Sequence, residues 1–459
     1  NITNHVRTDR DPMWMGDSIY FVSDRDDYLN VYRYDIGSGE TSQLTRHQGS
    51  DVRWASDDGS HRVVYELDGA LHILDVRDGT DTAIDVTVPA DSGLDLAELV
   101  PVADHLEGYD ISPNGQRILV AARGEVFSTP VEHGVSRNLT ATPGAHEREI
   151  AWSPQGDWVA WISDASGEEE LYVRDHRGQR DPVQVTRGSG TRLYNPLWSP
   201  DGSTLAFGDS EARIHVTSRS GKEIRLVTDD AGFPAHDYAW SPDSRWLAYS
   251  AQDANGYRSI HIWDSTSGTS RRVTGELFSE YNPSFSPSGE QLFFLSDRMF
   301  SPQIGTIEWN YVSARNTGVY ALMLTADAEN PFAPRNEEGM ADAADDGEAE
   351  EEEGDDELTV QIDFDGLADR VARAPIDFDN YANLAAREGH LLMVRSGAFY
   401  YGRDSYAKPT LMAYSLADRK TFDIASDIGN GYALASDSEH VVVRQAGALK
   451  RYGIKEGDQ

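Results

Sequence analysis

Ala151-Trp152-Ser153-Pro154-Gln155-Gly156-Asp157-Trp158-Val159-Ala160-Trp161 is a hairpin legible in its residues. Pro154 presets φ for the second position of a tight turn, and Gly156 permits the positive φ with which the chain swings back. Aromatic and apolar residues suited to strands flank the turn. The phrase recurs as Ile111-Ser112-Pro113-Asn114-Gly115, Trp198-Ser199-Pro200-Asp201-Gly202, Trp240-Ser241-Pro242-Asp243-Ser244 and Phe285-Ser286-Pro287-Ser288-Gly289. A weaker copy, Trp54-Ala55-Ser56-Asp57-Asp58-Gly59, lies upstream. The serines at 112, 153, 199, 241 and 286 are separated by 41, 46, 42 and 45 residues. A period of about 40–45 residues, each holding four short strands, is the signature of a β-propeller.

The 459 residues hold one large repeat array or several ordinary domains. Ten Trp, 21 Tyr and 14 Phe supply large apolar surfaces for packing sheet against sheet. There is no cysteine, which excludes disulfides, thiol chemistry and cysteine-ligated zinc. No run of 18 apolar residues is present. The net charge of −38 argues against nucleic acid and anionic membrane surfaces as partners. Only five residues are lysine, at 222, 408, 420, 450 and 455. A carboxylate-rich, lysine-poor chain suits a halophile; a GC-rich genome with one acidic insertion gives the same composition. The chain opens on Asn1 rather than Met, so a preceding segment, with any targeting signal, is expected.

Residues 1–86 read as two four-stranded units. The first holds Asp17–Val22 and Asn30–Asp35, the second Arg62–Glu66 and Ala70–Asp75. The period breaks at 87–107, where Trp54 and Ile111 stand 57 residues apart, and a domain boundary is expected near Pro89-Ala90-Asp91-Ser92-Gly93. Five units follow, at about 87–140, 141–187, 188–229, 230–275 and 276–326, each closing on an aliphatic-Thr pair such as Leu139-Thr140 or Val273-Thr274. An acidic insertion over 327–358 is expected to be disordered, since Glu337 to Glu357 holds 13 Asp or Glu in 21 positions. Two less regular units, at about 359–426 and 427–459, complete seven. The expected fold is all-β: a seven-bladed propeller of four-stranded antiparallel blades over 87–459. Two blades of a truncated second propeller precede it over 1–86.

No catalytic motif is present: no Gly-x-Ser-x-Gly, no His-Glu-x-x-His, no P-loop and no dinucleotide fingerprint. No catalytic, metal-binding or cofactor-binding residue is therefore named. The 13 histidines lack ligand spacing. Geometry points instead to the innermost strands, which line a propeller's axial channel. Four residues before each Trp, Phe or Ile anchor stand Glu107, Arg148, Tyr194, His236 and Tyr281; three before it stand Gly108, Glu149, Asn195, Asp237 and Asn282. Arg148, Glu149, Tyr194, Asn195, His236, Asp237, Tyr281 and Asn282 are the candidate channel-lining residues. Either they meet an extended peptide, or they bond neighbouring blades and water. The repeat phase of Trp152, Trp198 and Trp240 assigns them to core between blades. Asn138-Leu139-Thr140 fits a glycosylation acceptor, but its Leu-Thr belongs to the repeat.

Arg123-Gly124-Glu125-Val126-Phe127 and Arg137-Asn138-Leu139-Thr140 resemble the tricorn protease family. Glu170-Leu171-Tyr172-Val173 and Phe21-Val22-Ser23-Asp24-Arg25 extend the similarity over nearly the whole chain. The resemblance implies that 1–86 are the last two blades of a six-bladed propeller and 87–459 a seven-bladed one. It implies a serine peptidase that cuts short peptides, assembles as a hexamer, and carries its catalytic serine and histidine beyond Gln459. This region would then be a substrate-access filter and assembly scaffold, in the cytoplasm, or in the periplasm if an export signal precedes Asn1. Two other readings share these blade turns: a stand-alone protein-binding propeller of the envelope-scaffold type, and the propeller of a prolyl-oligopeptidase-type enzyme.

Overall fold

A computed structural model describes residues 2–87, 101–229, 231–232, 237–300, 302–304, 311–335, 358–397 and 407–455. The expected boundary at Pro89–Gly93 and the acidic run Glu337 to Glu357 lie outside the described residues. Contacts divide the chain into two units, Asn1–Leu99 and Val100–Gln459.

In the first unit two four-stranded antiparallel sheets are described. One is built from Asp9–Met15, Ser18–Ser23, Asn30–Asp35 and Thr41–Gln43, the other from Arg53–Asp57, Arg62–Leu67, Ala70–Asp75 and Thr80–Ile84. Met13, Met15, Val22, Val31, Val63, Tyr65 and Leu74 form the unit's buried core.

Among the described residues of the second unit, seven larger sheets and one two-stranded hairpin are formed; the seven are taken here as blades 1 to 7 by their innermost strands: Leu106–Ile111, Glu147–Trp152, Leu193–Trp198, Tyr238–Trp240, Ser279–Phe285, Asn380–Arg387 and Ile428–Leu434. Blades 1 to 6 have four strands and blade 7 has three among the described residues. The ring closes on itself. Ile111, Ile118 and Ala122 of blade 1 share a buried cluster with Ala433, Ala435 and Val442 of blade 7. Asp437 N–H donates to Pro113 C=O at 3.0 Å across the same seam. The anchor tryptophans Trp152, Trp198 and Trp240 are at most 7% exposed. Trp198 Nε1 donates to Ala151 C=O at 3.3 Å and Trp240 Nε1 to Leu197 C=O at 3.4 Å, each reaching the preceding blade. They are inter-blade core.

The repeated turn folds as its residues dictate. Gly115, Gly156, Gly202 and Gly289 have φ of 67°, 81°, 67° and 74°, and Ser244 takes 62° in their place. Gly156 N–H donates to Ser153 C=O at 2.8 Å, closing the turn. The serine hydroxyl is a local acceptor: Ser153 Oγ takes the N–H of Trp158 at 3.0 Å, and Ser112, Ser199, Ser241 and Ser286 repeat the bond. The closing aliphatic-Thr pair has an equally local cause. Val185 N–H donates to Leu171 C=O at 2.7 Å, and Thr186 Oγ1 accepts Leu171 N–H at 2.8 Å. Thr140 and Thr274 do the same for Val126 and Ile260. Leu139-Thr140 is thus a strand lock, and Asn138 Oδ1 is taken by the N–H groups of Thr140 and Ala141, both at 3.0 Å.

Blade 5 departs from the expected limits of 276–326. A two-stranded hairpin, Pro302–Ile304 with Tyr311–Ser313, is inserted after its second strand. Thr317–Met323 is therefore the third strand, and the fourth is Val371–Arg373, beyond the acidic run. Leu324-Thr325 follows the third strand and closes no blade, so Val371–Arg373, expected in blade 6, belongs to blade 5. An insertion shifts the strand count without altering hydrophobic alternation, which is why spacing alone misplaced it.

Candidate functional site

The innermost strands of blades 2, 3, 5, 6 and 7 share one irregularity. Their pairing register slips between Arg148 and Ala151, Tyr194 and Leu197, Tyr281 and Ser284, Ala382 and Ala385, and Ile428 and Tyr432. The slip is a β-bulge that re-aims one residue per strand. At its centre φ is 51° for Glu149, 49° for Asn195, 50° for Asn282 and 54° for Asn383. Asn tolerates this left-handed conformation; Glu149 does so at a cost that its surroundings must offset.

Those surroundings are the neighbouring blades. A bulged residue's N–H leaves its own ladder and donates to a side chain of another blade. Asn195 N–H reaches Glu149 Oε2 at 3.0 Å, Asn282 N–H reaches Asp237 Oδ2 at 3.0 Å, and Asn383 N–H reaches Asn282 Oδ1 at 2.8 Å. Asn282 Nδ2 adds a bond to Asp237 Oδ1 at 3.0 Å. Bulge carbonyls are met from the other side by phenols. Tyr238 Oη donates to Asn195 C=O at 2.5 Å, Tyr432 Oη to Asn383 C=O at 2.6 Å, and Tyr109 Oη to Gly431 C=O at 3.0 Å. Burial pushes the Tyr238 and Tyr432 phenols well up, and the Glu149 carboxylate adds to the shift at Tyr238. Both stay protonated donors at neutral pH.

Inside this belt lies an open cavity of about 470 Å3, lined by Glu149, Tyr194, Asn195, Asp237, Arg258, Tyr281, Asn282 and Asn383. Six of the eight residues expected at the channel meet there: Glu149, Tyr194, Asn195, Asp237, Tyr281 and Asn282. Arg148 does not line it. Its side chain is buried, forks onto the Glu169 carboxylate and donates to Leu193 C=O at 2.8 Å. His236 lies outside the described residues. Two lining residues were missed. Asn383 holds the same bulge phase, but Ala386 stands at the anchor position and the turn Glu388-Gly389 follows the strand, so no aromatic anchor or Ser-Pro marks it. Arg258 begins a third strand and has no repeat phase among innermost strands.

The lining offers phenols, carboxamides, two carboxylates and one guanidinium, a set suited to hydrogen bonding along a polar chain. Among the described residues no group of three or more His, Asp or Glu is placed to hold a metal ion. No described helix is long and apolar enough to cross a membrane.

Comparison with known proteins matches both units. The family model described as the tricorn protease second beta propeller domain covers residues 106–453, and that of the tricorn protease N-terminal beta propeller domain covers 1–80. The chain is 29% identical over 457 residues to Tricorn protease homolog 1 of Streptomyces coelicolor, covering 96% of this chain and 42% of that protein. It is 24% identical over 447 residues to the Tricorn protease homolog of Saccharolobus solfataricus, covering 96% and 39%. A crystal structure of the tricorn protease superposes with a TM-score of 0.65 at 18% identity, over 99% of this chain and 43% of that one. The chain thus spans about two fifths of the length of the relatives it matches. With the second-propeller model matched over most of its length and the N-terminal propeller model over its beginning, this chain belongs to the tricorn protease family.

Proposed function

We propose that this chain is the propeller region of a tricorn-like serine peptidase that hydrolyses short peptides. In this reading residues 1–86 are the last two blades of a six-bladed propeller and 87–459 a seven-bladed one. The seven-bladed ring acts as a substrate-access filter and the whole region as an assembly scaffold, with peptide bond cleavage performed by another domain of the longer protein. Homo-oligomers, a hexamer among them, and a cytoplasmic location follow from the same family reading.

The observation that carries the filter is the bulge belt. Five innermost strands place a left-handed residue at one phase, and Glu149, Asn195, Asn282 and Asn383 from that set line a single cavity. A belt tied blade to blade resists widening, so an extended peptide is favoured over a folded protein. Polar lining lets peptide N–H and C=O groups exchange water for protein partners at little net cost. The test uses the full-length protein and one cleavable sequence, presented as a free ten-residue peptide and inside a folded domain. The free peptide is expected to be cleaved and the folded one spared. Equal rates on both would remove the filter.

A further inference from the structure

Two arginines clasp blade 5 to blade 6 away from the cavity. Residues 330–335 follow the third strand of blade 5 and lie over the turn between the third and fourth strands of blade 6, Thr410–Ser415 and Lys420–Ser426. Phe332 pins them there. Its ring stands edge-on to Phe293 of blade 5 and to Tyr414 of blade 6, with centroids 6.2 and 6.3 Å apart. Each arginine then donates to the other's segment. Arg419 Nη2 reaches Ala333 C=O at 2.5 Å, and Arg335 Nη2 reaches Ala417 C=O.

What meets at this clasp is donors without an acceptor. Tyr414 is 1% exposed and Arg419 is half-buried. Tyr414 Oη and Arg419 Nε are buried atoms, and neither has a hydrogen-bond partner among the described residues. Burial pushes the Tyr414 phenol up, and the Arg419 and Arg335 charges pull the other way, so both guanidinium groups act on that hydroxyl. Among the described residues neither guanidinium meets a carboxylate. Asp418, the one carboxylate in the turn, is taken by the Ser415 hydroxyl at 2.9 Å. The chain holds 78 Asp and Glu against 40 Lys and Arg, so an arginine pair left without a carboxylate runs against its composition. An arginine can only donate, buried donors call for an acceptor, and buried positive charge calls for a negative one.

We propose that a chloride ion seats between Tyr414 Oη and Arg419 Nε, accepting a hydrogen bond from each, and staples the blade 5 segment to blade 6. Arg335 supplies the second positive charge. A water molecule would accept the same bonds but bring two hydrogens of its own, and the Ala333 and Ala417 carbonyls already receive the two guanidinium groups. It would also leave both charges uncompensated. The donors border the apolar cluster that contains Phe293, Phe332 and the Tyr414 ring, which favours a monatomic anion. The several oxygens of a phosphate would need partners that such a cluster does not offer.

The test is thermal unfolding of the full-length protein at constant ionic strength, with sodium chloride exchanged for sodium gluconate, whose anion is too large for the site. Chloride is expected to raise the midpoint saturably, as a ligand of the folded state does. Tyr414→Phe is expected to change rank between the two salts. In gluconate it is at least as stable as the wild type, because it sheds an unmet buried hydroxyl; in saturating chloride it is less stable. Arg419→Met is expected to weaken the apparent chloride affinity roughly tenfold or more, as loss of one charge-assisted hydrogen bond requires. Crystals soaked in bromide are expected to show anomalous density between Tyr414 Oη and Arg419 Nε. Equal midpoints in chloride and gluconate would overturn the proposal. So would a Tyr414→Phe variant that keeps the same rank in both salts, or bromide density absent from this position.

Discussion

The phenol of Tyr109 donates to the carbonyl of Gly431, 3.0 Å away and 322 positions along the chain. It joins the innermost strands of blades 1 and 7, and Tyr238 and Tyr432 make the same bond to Asn195 and Asn383. One chemical device thus recurs within the ring and at its seam. Tyr109→Phe leaves the Gly431 carbonyl without this donor and is expected to lower unfolding free energy by about 1 kcal/mol. Urea unfolding checks it: the midpoint falls with an unchanged slope. An unmoved midpoint would mean that this bond contributes nothing to the seam.

Thr186→Val keeps the shape of the strand lock and removes its acceptor. Leu171 is fully buried and its N–H would then lack a partner. The expected cost is about 1–3 kcal/mol, with faster amide exchange at Leu171. Thr186→Ser, which retains the hydroxyl, is expected to recover most of the loss.

Gly156→Ala tests the turn. At φ 81° an alanine is strained, while the new methyl group would meet Pro113 only at an ordinary 3.6 Å. The cost expected from the backbone alone is about 1 kcal/mol. Gly202→Ala is expected to cost more, because its methyl group would also collide with the Gln155 side chain, which bonds Pro200 C=O. Equal losses in the two variants would contradict the steric argument.

Asp110 gives a pH signature. Burial pushes its carboxyl up to about 6, against the pull of the Trp152 and Ile111 N–H groups that it accepts at 2.6 and 2.8 Å. Between about pH 4 and 6 the folded chain keeps a proton there that the unfolded chain has released. This group's contribution to stability is therefore lost as pH rises through that window, by up to about 3 kcal/mol, and levels off above it. Asp110→Asn is expected to flatten the slope between pH 4 and 6. Wild-type and variant curves that run parallel there would refute the assignment.

Much of this architecture is written locally, and that part was legible. Ser153, Pro154 and Gly156 act within six residues of each other, and Leu171 with Thr186 within one blade, so the repeat phase located them. The same phase picked out six residues that meet in one cavity. What failed was non-local or off-phase. Arg148 looks like a lining residue by position, but its guanidinium turns to Glu169. Asn383 carries the bulge without the aromatic anchor used to find it. The fourth strand of blade 5 lies past an inserted hairpin and an acidic run, and no periodicity spans such a gap.

The filter itself is tested most directly at Asn195. Trp54, at φ 55° in a bulge of the same type, shows that the left-handed position accepts an indole, so Asn195→Trp fills the cavity without a new backbone demand. In the full-length protein, kcat/KM for an extended ten-residue peptide is predicted to fall roughly tenfold or more, about 1.4 kcal/mol in the barrier, while that for a two-residue chromogenic substrate stays unchanged. Unchanged cleavage of the long peptide by a stably folded variant would contradict the account.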